Sequence, residues 1–358
     1  MTTPQQPQQP QHPRHSGHSR HPTPTGPRRR GNVDDLVLTA AGVLARDRQG
    51  RCLLVEITYD RHYPFAVPGG GTEPGETPRT TAARELSEEV GLDLRLGQLA
   101  CVDYVLGRDR PPVIAYLYRT ENPLTDGDLE RIRVQPSEIS GWSLRTVPEC
   151  ADLLPPRLGR RVTASLTAAD RGTGPLALVA GRPYDPAATA SVLIAAERAR
   201  TTPRSVPPDG VVLPMDRATY LATRPRAHCH AEVLLTRPDG RLWLSTASGR
   251  PRLPGGPVPV HQELPQQAAA RIVRLHQPLT LRAVDWVIHP EGPQAPPTLV
   301  HLFSLSTASS PAGPGLWVHA EQAGDSLPSP DGQRVRSALA RGGFTELVDG
   351  LAPGEGSG

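Results

Sequence analysis

Apolar runs and turn-forming residues alternate along the N-terminal half in a way that predicts a mixed α/β unit. Two apolar runs, 36–45 and 52–57, flank the polar residues 47–50, which predicts two strands joined as a hairpin. A helix is predicted over 77–90, because Gly91 follows it and glycine often stands just past a helix end. Further predicted elements are strands at 99–107 and 112–120 and a closing helix at 153–169.

The C-terminal half repeats these landmarks in the same order. The matches are a second hairpin at 230–247, LPGG at 253–256 for VPGG at 67–70, VDWV at 284–287 for VDYV at 102–105, and TLVHLFS at 298–304 for VIAYLYR at 113–119. Offsets between matched positions run from 182 to 190 residues. Unrelated segments do not keep such spacing across several landmarks, so the chain is predicted to hold two copies of one fold.

The composition predicts disorder at the N-terminus. The chain of 358 residues holds 42 Pro and 34 Gly, but only 3 Phe, 4 Trp and 7 Tyr with which to build cores. Residues 1–32 are mostly Gln, Pro, His and Arg, so they bury too little apolar surface to offset the entropy lost on ordering. The histidines of this segment lack a scaffold that would hold a metal, which favours a disordered tail. They are His12, His15, His18 and His21.

Length and pattern together predict more than one domain. Typical domains run ~100 to 200 residues, and this chain is longer. A Pro-rich stretch between the two halves is typical of a linker. The predicted organisation is a disordered tail at 1–32, a first domain at 33–170, a linker or extension at 171–226, a second domain at 227–345 and a flexible C-terminus at 346–358.

Charge, hydropathy and cysteine spacing exclude several classes of partner. A formal net charge of only +3 predicts no nucleic-acid partner. The N-terminal segment lacks the apolar core of a signal peptide, and no stretch approaches the ~18 to 20 apolar residues that span a bilayer, so neither secretion nor membrane insertion is expected. Four cysteines without C-x-x-C spacing favour reduced, buried thiols in a cytoplasmic protein. These features leave a homodimer open.

The helix predicted at 77–90 carries three glutamates on one face. Glu85, Glu88 and Glu89 are spaced i, i+3 and i+4, so their side chains converge. Like charges at this spacing destabilise a helix by ~0.2 to 0.5 kcal/mol per pair, so a cation is expected on this face. Hard oxygen ligands in this number suit Mg2+, or Mn2+, which also bind substrate phosphates. Such metals neutralise a diphosphate and activate water for attack on phosphorus.

Residues that precede the three glutamates in the chain complete the pattern. The glycines at 69–71 form a loop that lets backbone approach phosphate. Arg84 lies four residues before Glu88, and the loop can bring Glu76 onto its guanidinium. Together these features favour a functional site over a solvated acidic surface, which is the usual meaning of a Glu-rich run.

From Gly70 to Leu92 the chain matches the Nudix box, G-x5-E-x7-R-E-U-x-E-E-x-G-U, at every specified position, and it therefore resembles Nudix hydrolases. The resemblance covers residues 34–170 once the flanking strands and helix are included. It implies an α/β/α sandwich with a mixed sheet, here in tandem. It also implies a pyrophosphohydrolase that acts on a nucleoside diphosphate-linked or nucleoside triphosphate substrate.

The same resemblance implies a role for each matched residue. Glu76 orients Arg84, and the Gly70 carbonyl joins the three glutamates as a metal ligand. Either Glu88 or Glu89 doubles as the base, and the sequence does not divide base from ligand.

Three more residues each allow two interpretations. Glu138 resembles a late-strand carboxylate that sometimes reaches the metal in this family, but a surface charge is favoured. Tyr104 and Trp142 have rings that stack on a nucleobase, but the scarcity of aromatic residues favours both as core anchors.

The second copy lacks the three glutamates. With one residue inserted after Gly256, Glu263 and Arg271 take the places of the orienting pair. The residues that then replace the glutamates are Ile272, Leu275 and His276. No carboxylate remains there to hold Mg2+, so this copy is predicted to fold similarly without hydrolysis, as an interface in preference to a nucleotide sensor. His276 and His261 are interpreted as ordinary core or surface residues.

Two functional hypotheses remain. The leading one is the hydrolase, and its rival is a nucleotide-binding regulator with little or no turnover, suggested by the second copy and the basic tail. The intact glutamates argue against the regulator. Substrates under consideration include oxidised nucleoside triphosphates and ADP-ribose. Members of this family that cleave ADP-ribose often carry a marker proline downstream of the box. The corresponding position in this chain is Gly107-Arg108, so the marker is absent and the substrate stays open.

Overall fold

Strand β1 (Leu36–Leu44) is the centre of the N-terminal half, because it is buried along its length and paired on both edges. Its sequence LVLTAAGVL is nearly all apolar, as expected of a strand covered on both faces. Further strands of this sheet are β4 (Gly69–Gly71), β5 (Leu96–Val105), β6 (Val113–Thr120), β8 (Leu176–Val179) and β9 (Arg182–Pro183). β6 runs parallel to β1, whereas β4 runs antiparallel to it, so the sheet is mixed as predicted.

The computed structural model describes residues 36–60, 62–106, 111–185, 219, 222–260, 262–274, 277–288, 295–309, 311 and 313–353. Several predictions concern other positions. They are the tail at 1–32 with its histidines, the substrate marker at Gly107-Arg108, and His261, Leu275 and His276.

The predicted first hairpin closes its turn but does not continue as a hairpin. Gly50 donates its N–H to the Asp47 carbonyl at 3.0 Å, and Leu53 donates to the Ala45 carbonyl at 2.8 Å. Beyond the turn the strands enter different sheets, because both edges of β1 are already paired. A separate three-stranded sheet consists of β2 (Cys52–Ile57), β3 (Phe65–Ala66) and β7 (Ile139–Arg145). The order of its strands is β3-β2-β7.

Helices cover both faces of the main sheet in the N-terminal half. They are α1 (Pro78–Val90), α2 (Asp126–Arg131), α3 (Val147–Leu153) and α4 (Pro156–Asp170). Successive strand residues point to opposite faces. Val43 accordingly shares a core cluster with Leu86 of α1, while its neighbour Leu44 shares another with Leu166 of α4. The result is the predicted α/β/α arrangement.

Helix boundaries follow from local chemistry. Thr77 caps α1 by accepting the Thr80 N–H, and Gly91 ends it with φ 70° while donating its N–H to the Ser87 carbonyl. The closing helix, predicted as one element over 153–169, is instead α3 followed by α4. Consecutive prolines at 155–156 explain the break, because proline cannot donate the helical N–H and disfavours helix in the residue before it.

The C-terminal half has a similar order of pairing. Its elements are β10 (Arg226–Thr236), β11 (Arg241–Ser245), β12 (Gly255–Pro257), α5 (Pro265–Val273), β13 (Thr280–Val287), β14 (Thr298–Ser306), β15 (Gly315–His319), α6 (Ala320–Ala323), α7 (Asp331–Ala340) and β16 (Thr345–Val348). β10 is parallel to β14 and antiparallel to β12, as β1 is to β6 and β4. β13 likewise pairs with β14 and β16, as β5 pairs with β6 and β8.

Strands β1 and β10 join the two halves into one sheet. They pair antiparallel, with Leu36 opposite His228, Val37 opposite Ala227, and Leu38 opposite Arg226. The described residues from 36 to 353 accordingly belong to one compact unit, whereas the sequence predicted two domains. β8 and β9 extend the N-terminal sheet past residue 170, and β16 keeps the chain in the sheet past residue 345. The predicted flexible C-terminus therefore does not begin at 346.

Predictions about buried residues have mixed outcomes. The four cysteines are unpaired and buried, as predicted. Tyr104 is 4% exposed and donates its hydroxyl to the Val260 carbonyl at 2.9 Å, so it is a core residue. Trp142 is 36% exposed, and its prediction as a core anchor is wrong, because β7 is an edge strand of the small sheet.

Among the described helices, none is long and apolar enough to cross a membrane.

Candidate active site

Helix α1 presents its three glutamates beside β4 but does not bury them equally. Glu85 and Glu89 are 9% and 5% exposed, whereas the Glu88 side chain is 51% exposed. Positions i and i+4 of a helix lie on one face, and here that face turns toward β4. Glu85 and Glu89 therefore line the inner side of the site, and Glu88 lies on its solvent side.

Two glycines of β4 let the backbone lie directly against the buried carboxylates. Gly69 donates its N–H to Glu89 Oε2 at 2.9 Å. A Cβ at Gly70 would overlap the carboxylate of Glu85, so any other residue here would displace the Glu85 side chain from its present position. The structure thus places Gly70 beside the glutamates with which the sequence grouped it.

Arg84 connects the predicted site residues. Its Nε donates to Glu76 Oε1 at 2.6 Å, which is the pair expected from the sequence. Its Nη1 donates to Glu88 Oε2 at 2.8 Å and lies 3.0 Å from Glu85 Oε1. Its Nη2 contacts the Gly71 carbonyl at 3.3 Å. The guanidinium therefore links the loop before α1 to two of the three glutamates.

Arg84 and Glu76 form an ion pair in which each side chain stabilises the charged form of the other. The hydrogen bond to Glu76 raises the pKa of Arg84 above its ordinary value. Burial raises the pKa of Glu76, but the hydrogen bond from Arg84 and others outweigh it, and the pKa of Glu76 is lowered. Both side chains are therefore charged at neutral pH, as charge-assisted pairing requires.

The two buried glutamates have the opposite tendency. Burial raises the pKa of Glu89 to about 8, against the Gly69 N–H, and repulsion from Glu85 adds to the rise. Burial also raises the pKa of Glu85, although Arg84 opposes it. Without a cation, both carboxyls bind a proton more tightly than an ordinary surface carboxyl does.

This rise in the pKa of Glu89 predicts a pH-dependent stability of the metal-free protein. Its pKa in the folded chain, about 8, exceeds the ordinary 4.5, so the folded state binds the proton more tightly. The resulting stability is full below about pH 4.5 and is lost as pH rises through 8. We expect Glu89→Gln, which mimics the protonated acid, to reduce the decline between pH 5 and 8.5 by about 1 to 4 kcal/mol.

Urea unfolding in EDTA at both pH values measures this effect. Glu130→Gln is the matched control, since Glu130 is exposed on α2. Equal declines in wild type and Glu89→Gln would show that Glu89 titrates as an ordinary carboxyl.

The donors on α1 fit a divalent cation by their chemistry. Carboxylate oxygens and a backbone carbonyl are the ligands that Mg2+ prefers. A cation would also stabilise the ionised forms of Glu85 and Glu89, whose pKa values are raised. Among the described residues, no three Asp, Glu, His or Cys side chains already stand in metal-holding geometry. Since Arg84 lies between Glu85 and Glu88, side chains of the site have to rotate before they share a cation.

Two residues at the site were not assigned to it by sequence. Arg224, just before β10, donates to the Gly71 carbonyl at 3.0 Å and lies 3.4 Å from Glu73 Oε1. Glu138, favoured as a surface charge, is partly buried and helps raise the pKa of Glu89, after burial and Glu85. No local pattern marks Arg224, because its contacts are far away in the chain.

The matching region of the C-terminal half keeps the ion pair but not the acids. Arg271 Nε lies 2.7 Å from Glu263 Oε1, which parallels the predicted orienting pair of the first half. Ile272 follows Arg271, and its Cδ1 is the atom nearest to a Cβ built on Gly256. An apolar side chain thus occupies the place that Glu85 takes beside Gly70.

Comparison with known sequences gives the family of the N-terminal half. Residues 37–164 match the model described as NUDIX domain. The uncharacterized Nudix hydrolase orf19 of Rhodococcus erythropolis is 33% identical over 29% of this chain and 60% of its own length. The chain therefore spans about 60% of the length of this curated relative. Residues 37–164 are a Nudix domain and belong to that family.

Solved structures similar to this chain include several Nudix proteins. The MutT protein from Methanosarcina mazei Go1 has a TM-score of 0.33 and 19% identity, and the match covers 39% of this chain and 99% of that one. The C. elegans Ap4A hydrolase has a TM-score of 0.31 and 22% identity, with 38% and 99% covered. The ADP-ribose pyrophosphatase from Streptococcus suis has a TM-score of 0.28 and 18% identity, with 40% and 98% covered.

Proposed function

We propose that the N-terminal half is a metal-dependent Nudix pyrophosphohydrolase. The observation that carries this proposal is the contact between α1 and β4, where Glu85 and Glu89 lie against the backbone of Gly69 and Gly70. This contact concentrates carboxylate oxygens beside a glycine-rich backbone, which is what a cation and a diphosphate need together. The substrate class is a nucleoside diphosphate-linked compound or a nucleoside triphosphate.

Each residue of the site has a distinct task in this proposal. Glu85, Glu88 and Glu89, with the Gly70 carbonyl, would hold Mg2+ or Mn2+. When bound, the cation supplies charge neutralisation of the diphosphate and activation of the attacking water. Glu76 holds Arg84 in place through Nε and Nη2, so that Nη1 can follow the glutamates or the substrate.

We infer that the C-terminal half is a degenerate second copy with a structural role. Its pairing order parallels that of the first half, and Ile272 stands in place of a catalytic acid. Its strand β10 covers one edge of β1, and Arg224 before that strand reaches the loop of the active site. The second copy thus supports the first without hydrolysing substrate.

The test is chromatographic detection of the nucleotide products from a panel of nucleoside diphosphate sugars, dinucleoside polyphosphates and nucleoside triphosphates, using the full chain with Mg2+, Mn2+ or EDTA. We expect at least one substrate to be cleaved only with metal. Glu88→Gln should lower that rate at least about tenfold, since one ligand or base is lost, whereas Glu130→Gln should not.

Two results would argue against the proposal. Glu88→Gln with the full rate would refute the site assignment. Tight nucleotide binding without any metal-dependent turnover would favour the regulator instead.

A further inference from the structure

A buried arginine–aspartate pair occurs in both halves of the chain. Arg161 of α4 donates its Nε to Asp103 Oδ2 on β5 at 2.7 Å. Arg334 of α7 donates its Nε to Asp285 Oδ2 on β13 at the same distance, 2.7 Å. In each half the other carboxylate oxygen accepts a backbone N–H from a glycine two residues past a neighbouring strand, which is β8 in the N-terminal half and β16 in the C-terminal half. The two arginines therefore occupy equivalent places.

Of the two arginines, only Arg334 also donates hydrogen bonds from an Nη nitrogen to acidic side chains of the described residues. Arg334 Nη1 donates to Glu232 Oε2 at 2.6 Å and to Asp331 Oδ1 at 3.1 Å. Arg161 has Asp103 as its one side-chain acceptor among the described residues. Arg161 thus lacks two carboxylate contacts that its counterpart makes.

Sequence position explains the difference. Ala231 pairs with Gly256 as Ala41 pairs with Gly70, so Glu232 corresponds to Gly42. Asp331 stands three residues before Arg334, and the residue three before Arg161 is Leu158. Both acids of the C-terminal half are therefore replaced by residues that cannot accept a hydrogen bond from a guanidinium.

A cavity lies beside Arg161 in the N-terminal half. It has a volume of about 160 Å³, and Gly42, Leu158 and Arg161 are among the residues that line it. The Arg161 side chain is only 12% exposed. Its outer guanidinium nitrogens have no acceptor among the described side chains, so an acceptor on a ligand, and most strongly a charged one, would stabilise them.

This cavity adjoins the candidate active site. Gly69 and Gly70 line it, and the same two glycines contact Glu89 and Glu85. Strand β4 therefore borders both the glutamates and the cavity that Arg161 lines.

We propose that Arg161 binds an anionic oxygen group, a phosphate or carboxylate, on the part of the substrate beyond the scissile diphosphate. The group takes the place that the Glu232 carboxylate fills in the C-terminal half, where the chain closes its own pocket. This assignment deepens the proposed function and rests on it for the identity of the substrate. Arg161 is then a specificity-determining residue, and Glu232 is a built-in carboxylate that pairs with Arg334 at the equivalent place.

Anion binding without turnover tests this assignment. The probes are inorganic phosphate, acetate and the uncharged analogue acetamide, titrated calorimetrically into the full chain in EDTA. Leu158→Asp supplies Arg161 with the acid that Arg334 has, so it should weaken phosphate and acetate binding at least about tenfold. The matched variant Leu158→Asn, of equal size but uncharged, should weaken it less than about threefold. Equal effects of Asp and Asn would overturn the assignment.

The C-terminal half supplies a second, independent variant. Glu232→Ala removes the built-in carboxylate, so it should create one additional acetate site beside Arg334. No additional site in this variant would overturn the equivalence of the two pockets, and acetamide binding as tightly as acetate would overturn the requirement for an anion. Tighter binding of phosphate than of acetate assigns a phosphate group, and the reverse assigns a carboxylate. Because hydrolysis is not measured, failure of the proposed enzyme activity would leave these results unchanged.

Discussion

Glu85→Gln is expected to lower kcat about a thousandfold on whichever substrate the full chain cleaves, because a ligand charge is lost where several kcal/mol of transition-state stabilisation are supplied. Glutamine keeps the shape and the acceptor oxygen of the side chain, but not the negative charge. Since burial already raises the pKa of Glu85, a neutral side chain is tolerated there and the fold should persist. The measurements are kcat, KM and Mg2+ affinity by calorimetry, with circular dichroism to confirm folding.

The control for this variant is Glu130→Gln, which removes the same charge from an exposed position on α2. A folded Glu85→Gln protein with wild-type kcat and Mg2+ affinity would remove Glu85 from the site. Loss of kcat with unchanged Mg2+ affinity would instead give Glu85 a role other than metal binding.

Truncation after Asp185 is expected to abolish folding of the N-terminal half. It would uncover the edge of β1 that pairs with β10, and an unpaired apolar edge promotes aggregation. It would also divide a core cluster that includes Val37 and Leu86 from one half, and Ala231 and Trp286 from the other. A loss of about 5 kcal/mol exhausts the stability of a typical domain.

The polar contacts between the halves point to the same result. Glu346 of β16 accepts the Tyr118 hydroxyl at 2.6 Å and pairs with Arg79 at 2.7 Å, so truncation leaves both without their partner. We expect the truncated chain to aggregate on size-exclusion chromatography and to lack a cooperative unfolding transition. Glu346→Gln in the full chain is the milder comparison, because it weakens these contacts and leaves β1 paired. A monomeric, fully active fragment would show that catalysis does not need the second half.

Elements with strong local signals were predicted from the sequence. Helix α1 begins and ends where Thr77 and Gly91 indicated, and β1 and β2 match their apolar runs. The partners of these strands were harder to predict. The apparent hairpin failed because β1 has other partners on both edges, and such pairing is decided by residues distant in the chain. Trp142 was misplaced because the scarcity of aromatic residues, on which its placement rested, does not show which strand lies at the edge of a sheet.

The candidate site divides in the same way. Helical periodicity alone is enough to group Glu85, Glu88 and Glu89, because residues three and four apart share a face. Their unequal burial depends on β4, which approaches through Gly69 and Gly70. Because of this difference the pKa of Glu89 is raised, whereas Glu88 stays exposed to solvent. No spacing in the sequence reveals this.

The sequence by itself determined the helix with its three glutamates, the Arg84–Glu76 pair and the repetition of landmarks between the halves. These features depend on spacing within a few residues or on likeness between segments, and both can be read along a chain. Only the tertiary structure decided that β1 and β10 unite the halves, that Arg224 reaches the active-site loop, and that Arg161 lacks the acids that surround Arg334. Such contacts join residues far apart in sequence, because burial and strand pairing are properties of the whole packed sheet.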